Sequence, residues 1–230
     1  MKPPIVHSSS PVTLVGGGEL AHDDLALALS HAATLVAADS GAQAALAAGH
    51  VPHAVIGDFD SLSADARAQI PQARLHEISE QDSTDFDKVL RHVAAPLCLG
   101  VGFLGARLDH QLAVMNTLVR RAERPCVLIG AHEVVFHAPP EIALDLGPED
   151  VVSLFPLARV TGRSEGLEWP IEGLVMEPHG RIGTSNRARG PLRLEVDAPG
   201  LLVMVPRRAL ASVTRAFLVP GHARWPARAG

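Results

Sequence analysis

Cysteine and basic charge are both scarce in this chain of 230 residues, and each shortage excludes a class of protein. Only Cys98 and Cys126 occur, each inside a short apolar run where a small hydrophobic residue would serve as well. We therefore expect two reduced, buried thiols and no disulfide framework. The 20 Lys and Arg residues against 25 Asp and Glu residues give a formal net charge of -5, which argues against a nucleic-acid partner.

Long apolar runs are lacking as well. No stretch approaches the ~18 apolar residues of a membrane-spanning helix, and residues 1–11 lack the basic start and apolar core of a signal peptide. These features predict no membrane partner and a cytoplasmic location. Hydrophobic residues make up 47% of the chain, enough for one large globular domain or two small ones.

Residues 12 to about 138 alternate short β-like runs with Ala- and Leu-rich helical runs, which is typical of an α/β domain with a parallel sheet. The predicted strands are residues 12–15, 34–37, 54–56, 74–78, 97–103, 127–129 and 133–136. The predicted helices are residues 22–30, 41–48, 64–70, 84–93 and 108–122. In the last helix, four residues recur at helical spacing and are expected to face the core: Leu112, Met115, Leu118 and Val119.

After Pro139 and Pro140 the pattern changes to short strand-like runs separated by Gly, Pro and Asn, with no long helix before the C-terminal end. The runs are residues 151–155, 159–161, 173–176, 192–196 and 201–205. This pattern predicts a small antiparallel β-sandwich or barrel. We therefore place a domain boundary between residues 138 and 139.

The segments that follow the predicted strands are the candidate functional sites, because ligands of open parallel sheets bind at the carboxyl ends of strands. Gly16, Gly17 and Gly18 follow the first strand, and glycine N–H groups ahead of a helix suit phosphate oxygens. The segment is neither a Walker A sequence nor a complete G-x-G-x-x-G motif, so a plain tight turn explains it equally well.

Asp58 and Asp60 follow the third strand, in a chain that we expect to be nearly extended, with both carboxylates on one side and Phe59 directed into the core. Such a pair offers oxygen ligands to Mg²⁺. Without a cation, two carboxylates ~4 Å apart would repel by about 4 kcal/mol at an effective dielectric constant of 20. The alternative is a surface turn in which Asp and Ser simply favour the turn.

Residues 81–88, with the sequence Gln-Asp-Ser-Thr-Asp-Phe-Asp-Lys, begin a predicted helix. Asp82 with Asp85, or Thr84 with Asp87, has the spacing of a capping box. Capping accounts for one of these pairs but not for the other polar groups of the segment, so we also expect the segment to face a ligand.

Three cationic or polar groups near these segments extend the candidate site. Lys88 is placed to neutralise a phosphate or to pair along its helix with Asp85 or Thr84. Arg107 offers a planar fork for phosphate oxygens, and Asp109 suits the first turn of the next helix. His110 is interpreted as structural, because the sequence identifies no proton partner for it.

These segments in their order resemble the thiamine pyrophosphokinase family, whose members transfer a pyrophosphoryl group from ATP to thiamine and release AMP. The resemblance spans nearly the whole chain. It rests on the Gly-rich turn at 16–18, Ala-Asp-Ser-Gly-Ala at 38–42, Ile-Gly-Asp-Phe-Asp-Ser at 56–61, residues 81–88, Gly-Ala-Arg-Leu-Asp-His at 105–110, Glu-Gly-Leu-Glu-Trp at 165–169 and Gly-Thr-Ser-Asn at 183–186.

The resemblance implies a Rossmann-like ATP-binding catalytic domain over residues 1–138 and a β-sandwich thiamine-binding domain over residues 139–230. It also implies a homodimer with thiamine bound where the subunits meet. The implied ligands of Mg²⁺ are Asp39, Asp58, Asp60 and Asp85, of which the last three are the implied catalytic residues. The implied nucleotide- or phosphate-binding residues are Gly17, Gly18, Asp39, Gln81, Thr84, Lys88, Arg107 and Asp109.

Trp169, Ser185 and Asn186 are the residues that the resemblance assigns to the rings of thiamine. An aromatic face suits a cation such as the thiazolium ring. A core position for Trp169 and a plain turn at Ser185 and Asn186 remain open.

The chain departs from the family pattern at three positions. Ser40 and Ala106 stand where glycine is usual, and Asp87 stands where glutamate is common. The departures leave the proposed metal ligands unchanged but affect the geometry of the loops.

Two other functions remain open from the sequence. One is an Asp-x-Asp metal-dependent phosphohydrolase or glycosyltransferase, although a phosphatase of the aspartyl-nucleophile type would have Thr or Val where Leu62 stands. The other is a non-catalytic regulator that binds nucleotide or thiamine.

Overall fold

The structure is a computed structural model that describes residues 3–105 and 107–227. Ala106, one of the departures noted above, therefore lies outside the described residues. The chain divides into two compact units, Met1–Thr117 and Leu118–Gly230. Its fold is a mixed α/β fold. Among the described residues, no helix combines the length and the apolar character needed to cross a membrane.

The N-terminal unit alternates strands and helices. Its strands are β1 (Val6–His7), β2 (Val12–Val15), β3 (Thr34–Ala38), β4 (Ala54–Gly57), β5 (Leu75–Glu77), β6 (Val93–Ala94) and β7 (Cys98–Val101). Its helices are α1 (Asp24–His31), α2 (Gly41–Ala47), α3 (Ala64–Ala68), α4 (Asp85–His92) and the start of α5 (Leu108–Arg120).

Five of these strands form a parallel array in the order β7-β2-β3-β4-β5, and β1 pairs with β6 in a separate parallel ribbon. Every residue of β2, β4 and β7 is buried, which explains why these strands are continuous apolar runs without alternation. Thr13 is the polar exception in β2, and its hydroxyl donates a hydrogen bond of 2.6 Å to the carbonyl of Ala32. The carboxyl ends of the strands therefore meet at one edge of the array.

The C-terminal unit consists mainly of antiparallel strands. They are β8 (Cys126–Ile129), β9 (Glu133–His137), β10 (Glu141–Leu144), β11 (Val151–Pro156), β12 (Gly162–Leu167), β13 (Gly183–Val196) and β14 (Leu201–Pro206), followed by α6 (Leu210–Leu218). The strand order is β10-β13-β11-β14-β9-β8, and β12 also pairs with β13.

Strand β13 is the longest of this unit, with 14 residues, and its two halves have different partners. The first half pairs with β11, from Gly183 to Arg187, whereas the second half pairs with β10 and β12. One strand thus joins two groups of antiparallel strands. Only its end, residues 192–196, was predicted from the sequence, because the preceding residues are mostly polar or glycine.

Several sequence expectations need correction. Residues 159–161 and 173–176 form no strand, and only an isolated bridge joins Val160 to Met176. In α5, Leu112 is 61% exposed instead of facing the core, while Leu118 and Val119 are buried as expected. The helical period was correct, but the buried stripe is centred on Val114 and Leu118.

Two further expectations concern the thiols and the domain boundary. Cys98 and Cys126 are both buried, as predicted, and neither is in a disulfide among the described residues. The compact units divide after Thr117, inside α5, whereas the boundary between residues 138 and 139 was drawn from the change in sequence pattern. That boundary stays a prediction.

Candidate active site

Two acidic segments meet where β3 and β4 end. Asp39 directly follows β3 and has a left-handed backbone, with φ 44°, and Asp58 directly follows β4. Gly57, the last residue of β4, makes their approach possible, because a Cβ at this position would lie 2.8 Å from the Cβ of Asp39. The close contact of the two strand ends thus requires glycine here.

Three carboxylates form a cluster at this edge. One oxygen from each of Asp39, Asp58 and Asp60 lies within 4.8 Å of the others. Asp39 is fully buried, Asp58 is half-buried and Asp60 is exposed. Oδ2 of Asp39 accepts a hydrogen bond of 3.3 Å from the N–H of Ser61, whereas its Oδ1 is buried without a hydrogen-bond partner. A buried carboxylate oxygen without a donor is the kind of atom that a bound cation satisfies.

The backbone between Asp58 and Asp60 is a turn, not the nearly extended chain predicted from the sequence. Phe59 has a left-handed φ of 63°, and the N–H of Asp60 turns back to within 3.5 Å of Oδ1 of Asp58. The ring of Phe59 is only half-buried, with the guanidinium of Arg67 at 5.4 Å from its centroid. The carboxylates converge because the chain turns, and not through the alternation of a strand.

Lys88 lies beneath this cluster and is only 1% exposed. Its ammonium is 2.6 Å from Oδ2 of Asp58 and 3.4 Å from Oδ1 of Asp85. The amide of Gln81 donates to the same Oδ2 of Asp58 at 3.2 Å. The sequence had left open whether Lys88 pairs along its helix or reaches further, and in the structure it does both.

The pKa values of this group follow from these contacts. The hydrogen bond from Lys88 holds the pKa of Asp58 below its usual value. Burial by itself would lower the pKa of Lys88, but its bonds and charges with Asp58 and Asp85 raise it. Burial raises the pKa of Asp85, and the neighbouring Lys88 opposes this effect. Asp58 and Lys88 are therefore a fixed ion pair, and Asp85 holds a proton more readily than a free carboxyl group.

The surroundings of Asp39 strongly disfavour the charged form of its carboxyl group. Burial, then the charge of Asp85, raises its pKa from 3.8 to about 6, although the N–H of Ser61 opposes the change. Asp60 and Asp58 raise it further. A divalent cation among these oxygens would remove the repulsion, so the residues present fit a hard cation. Asp85, which the resemblance placed among the metal ligands, contacts Lys88 and is not a member of the three-carboxylate cluster.

Helix α4 presents the next polar groups to this edge. Thr84 caps the helix, because its Oγ1 accepts a hydrogen bond of 3.3 Å from the N–H of Asp87. Of the two capping pairs suggested by the sequence, the structure uses this one. Asp87 itself, a departure from the family pattern, is buried.

A cavity of about 410 Å³ opens beside the cluster. Arg107 at its wall forms an exposed ion pair with Asp109, with Nη2 and Oδ2 2.6 Å apart. Gly17 packs so closely against Ser40 that a Cβ on Gly17 would lie 2.0 Å from Oγ of Ser40. The cavity is lined by Gly16, Gly17, Gly18, Ala38, Ser40, Asp58, Asp60, Ser61, Ser83, Thr84, Asp85, Phe86, Lys88, Gly102, Phe103, Gly105, Arg107, His110, Ala113 and Val114.

Sequence reasoning missed the aromatic part of this cavity. The rings of Phe86 and Phe103 contact each other with centroids 4.7 Å apart, and both residues line the wall. Phe103 was included in a predicted strand that in fact ends at Val101. The break at Gly102, with a left-handed φ of 70°, was the available signal.

The residues that the resemblance assigned to thiamine lie in the C-terminal unit. Trp169 is 56% exposed, which excludes the core position left open for it. Asn186 is buried, and its amide accepts from the N–H of Trp169 at 3.2 Å and donates to the carbonyl of Trp169 at 2.7 Å. Ser185 is exposed and has a left-handed φ of 59°. Asn186 therefore fixes the backbone that carries the exposed indole.

Comparison with known proteins gives two family-model matches. The catalytic domain of thiamin pyrophosphokinase matches residues 25–129, and the vitamin B1 binding domain of thiamin pyrophosphokinase matches residues 140–201. The two matched segments together cover more than two thirds of the chain.

Similar proteins and structures carry the same name. Thiamine pyrophosphokinase 1 of Arabidopsis thaliana is 26% identical over 161 residues, which are 59% of this chain and 58% of that protein. Thiamine pyrophosphokinase 2 of the same plant is 24% identical over 206 residues, 78% of this chain and 71% of that protein. The structure of thiamin pyrophosphokinase from Candida albicans has a TM-score of 0.72 at 16% identity and covers 90% of this chain and 95% of that chain, which shows a shared fold.

Proposed function

Because the chain belongs to the thiamin pyrophosphokinase family, we propose that it transfers a pyrophosphoryl group from ATP to the hydroxyl group of thiamine, giving thiamine diphosphate and AMP. One observation carries the proposal. Three carboxylates, one of them with a buried oxygen that lacks a donor, stand beside a cavity of about 410 Å³ with a glycine-rich turn in its wall. This combination suits a polyphosphate that carries a divalent cation.

In the proposed reaction, the thiamine hydroxyl oxygen attacks the β-phosphorus of ATP in line with the bridge to the α-phosphorus. The new O–P bond forms as the bridge breaks, AMP leaves with the bridging oxygen, and the hydroxyl proton is released. Such transfers depend mainly on positioning and charge neutralisation, so a strong general base is not required. Lys88 keeps Asp58 in place, and Asp85, whose pKa is raised, is the group that we assign to guide the hydroxyl.

Asp39, Asp58 and Asp60 would hold the cation, which we propose to be Mg²⁺. When bound, Mg²⁺ would neutralise the negative charge of the phosphates. Gln81 supports the same site by its hydrogen bond to Asp58, and Thr84 supports it by ordering the start of α4. Gly17, Gly18, Arg107 and Asp109 are proposed to complete the nucleotide site, and three of them line the cavity.

For thiamine, we propose that Trp169 offers its exposed indole face to the thiazolium cation. The buried amide of Asn186 supports this role, because it fixes the tryptophan backbone on both sides. Ser185, exposed beside Asn186, is proposed as a further contact. Trp169 and Ser185 are both exposed and therefore accessible to a small ligand.

The finer architecture is also a proposal. We assign residues 1–138 to a Rossmann-like catalytic domain and residues 139–230 to a β-sandwich, and the gap between the two matched family segments supports this boundary. The two groups of strands that share β13 support a sandwich. A cytoplasmic homodimer is proposed from the family resemblance, and the exposed Leu108 and Leu112 are apolar surface that a second subunit would cover.

Incubation of the protein with ATP, Mg²⁺ and thiamine tests the proposed function. We expect AMP and thiamine diphosphate in equal amounts. Release of inorganic phosphate would indicate a hydrolase instead, and binding of both substrates without product would indicate a regulator. Omission of thiamine is the control and should prevent AMP formation.

A further inference from the structure

Residues 78–84, which join β5 to α4, have no regular secondary structure but carry several groups of the candidate site. Gln81 donates to Asp58, and Ser83 and Thr84 line the cavity. A loop of this kind has no hydrogen-bond ladder to order it, so its side-chain contacts determine how well these groups are placed.

Glu80 makes two such contacts with the same oxygen. Oγ of Ser83 donates to Oε1 of Glu80 at 2.6 Å, and Nη2 of Arg91 on α4 contacts this Oε1 directly. Both charged side chains are partly shielded, with 34% of the Glu80 side chain and 25% of the Arg91 side chain exposed. The hydrogen bond from Ser83 and then that from Arg91 keep the pKa of Glu80 below its usual value, so the pair stays charged at neutral pH.

Helix α4 is a firm anchor for this contact. Phe86, Val89 and Leu90 bury its apolar face, each with 2% exposure or less. Lys88 precedes Arg91 by three residues, so the two cations lie on neighbouring positions of the helix surface. Lys88 holds Asp58 while Arg91 holds Glu80, and Gln81 connects the two by its own bond to Asp58.

We infer that Glu80 and Arg91 form a latch that fixes residues 81–83 against the polyphosphate cavity, which makes both of them positioning residues for ATP. The inference rests on the proposed function for the identity of the ligand. Without the latch, binding of ATP must also order the loop, and that loss of conformational freedom opposes binding. Thiamine, held by other residues, should not be affected.

The test compares Glu80→Ala, Arg91→Ala and the double variant in steady-state assays that vary ATP and thiamine separately. We expect each single change to raise KM for ATP about tenfold, with KM for thiamine unchanged. The double variant should be no worse than either single one, because both remove the same contact. Glu80→Gln should raise KM for ATP less than Glu80→Ala does, since its carbonyl oxygen still accepts from Ser83 and Arg91.

Arg163→Ala is the matched control, because Arg163 pairs with Glu195 at 3.0 Å in the other unit and its side chain is 74% exposed. It should leave both KM values unchanged. Additive losses in the double variant, or equal changes in both KM values, would overturn the latch.

Hydrogen exchange of residues 79–85 without substrates separates this inference from the proposed function. Faster exchange in Glu80→Ala than in the wild type supports the latch, even where the wild type forms no AMP and the proposed reaction fails. Unchanged exchange overturns the latch, even where AMP is formed normally.

Discussion

In the N-terminal unit the candidate site contains two buried charged groups, with Asp39 fully buried and Lys88 only 1% exposed. In the C-terminal unit the candidate thiamine residue Trp169 is 56% exposed, and its buried support, Asn186, is uncharged. In the first region the carboxylates repel one another in a way that a cation would relieve, whereas the second region presents an exposed aromatic face whose backbone is fixed by Asn186. Substitutions in the first region should therefore affect chemistry and pH dependence, and those in the second should affect packing and the affinity for thiamine.

The largest effect is expected for Asp58→Asn, which removes a charge from the carboxylate cluster. AMP formation should fall by about a thousandfold, because charge stabilisation at a reacting phosphate is lost. The fold should persist, since Asp85 still contacts Lys88. Turnover and circular dichroism are the measurements, and Asp65→Asn on the exposed surface of α3 is the control. Near-normal turnover would disprove the assignment of Asp58.

Asp39→Asn should stabilise the metal-free protein while it destroys activity. The raised pKa of Asp39 means that the folded chain binds an extra proton between pH 3.8 and about 6, so stability falls as the pH rises through this range. The charged carboxylate of Asp39 therefore lowers the free energy of unfolding by at most about 3 kcal/mol at pH 7.5. Thermal unfolding in EDTA should show a gain for the variant at pH 7.5 and a gain of about one third of that size at pH 4.5.

Addition of Mg²⁺ sharpens this test. The cation should raise the melting temperature of the wild type, because ligands that bind only the folded state stabilise it. It should raise that of Asp39→Asn much less. An equal response in both proteins would show that Asp39 does not bind the cation.

Asn186→Ala should lower the free energy of unfolding by about 2 kcal/mol, because polar groups of the Trp169 backbone lose their buried partner. KM for thiamine should rise as the indole loses its fixed position, and KM for ATP should not change. Denaturant unfolding measures the first effect. Thr184→Ala, at an exposed neighbouring position, is the control, and an equal loss of stability there would contradict the role of the amide.

The smallest effect is expected for Trp169→Ala. Loss of one partly exposed cation–π contact should raise KM for thiamine about tenfold and leave the melting temperature unchanged. Trp169→Phe should retain part of the affinity. If KM for thiamine does not change in either variant, the thiamine site lies elsewhere.

Strands β2, β4 and β7 of the parallel array were predictable because every residue in them is buried, and a buried strand is almost entirely apolar. Strands β10 and β12 were missed because β10 has only four residues and β12 consists mostly of glycine and polar residues. Pairing with β13 defines both of them. Leu112 was misplaced for another reason. Helical spacing fixes the period of a helix, but it does not show which of its sides packs against the rest of the protein.

For the candidate site, the sequence indicated that acidic residues follow neighbouring strands, whose carboxyl ends lie at one edge of a parallel sheet. The set implied by the resemblance included Asp85, which is not a member of the three-carboxylate cluster. The sequence could not show that Phe59 turns the chain or that Lys88 binds Asp58 across 30 residues of sequence. It also gave no sign of the contact between Glu80 and Arg91.

The amino-acid sequence by itself determined the order of acidic segments at the strand ends and the kinds of ligand they suit, because these depend on residue type and local periodicity. Only the tertiary structure decided which carboxylates converge into one cluster and which pair with Lys88. It also decided that Asp39 carries a raised pKa. These properties depend on burial and on distances of a few ångströms between segments far apart in the chain, and local sequence does not encode such distances.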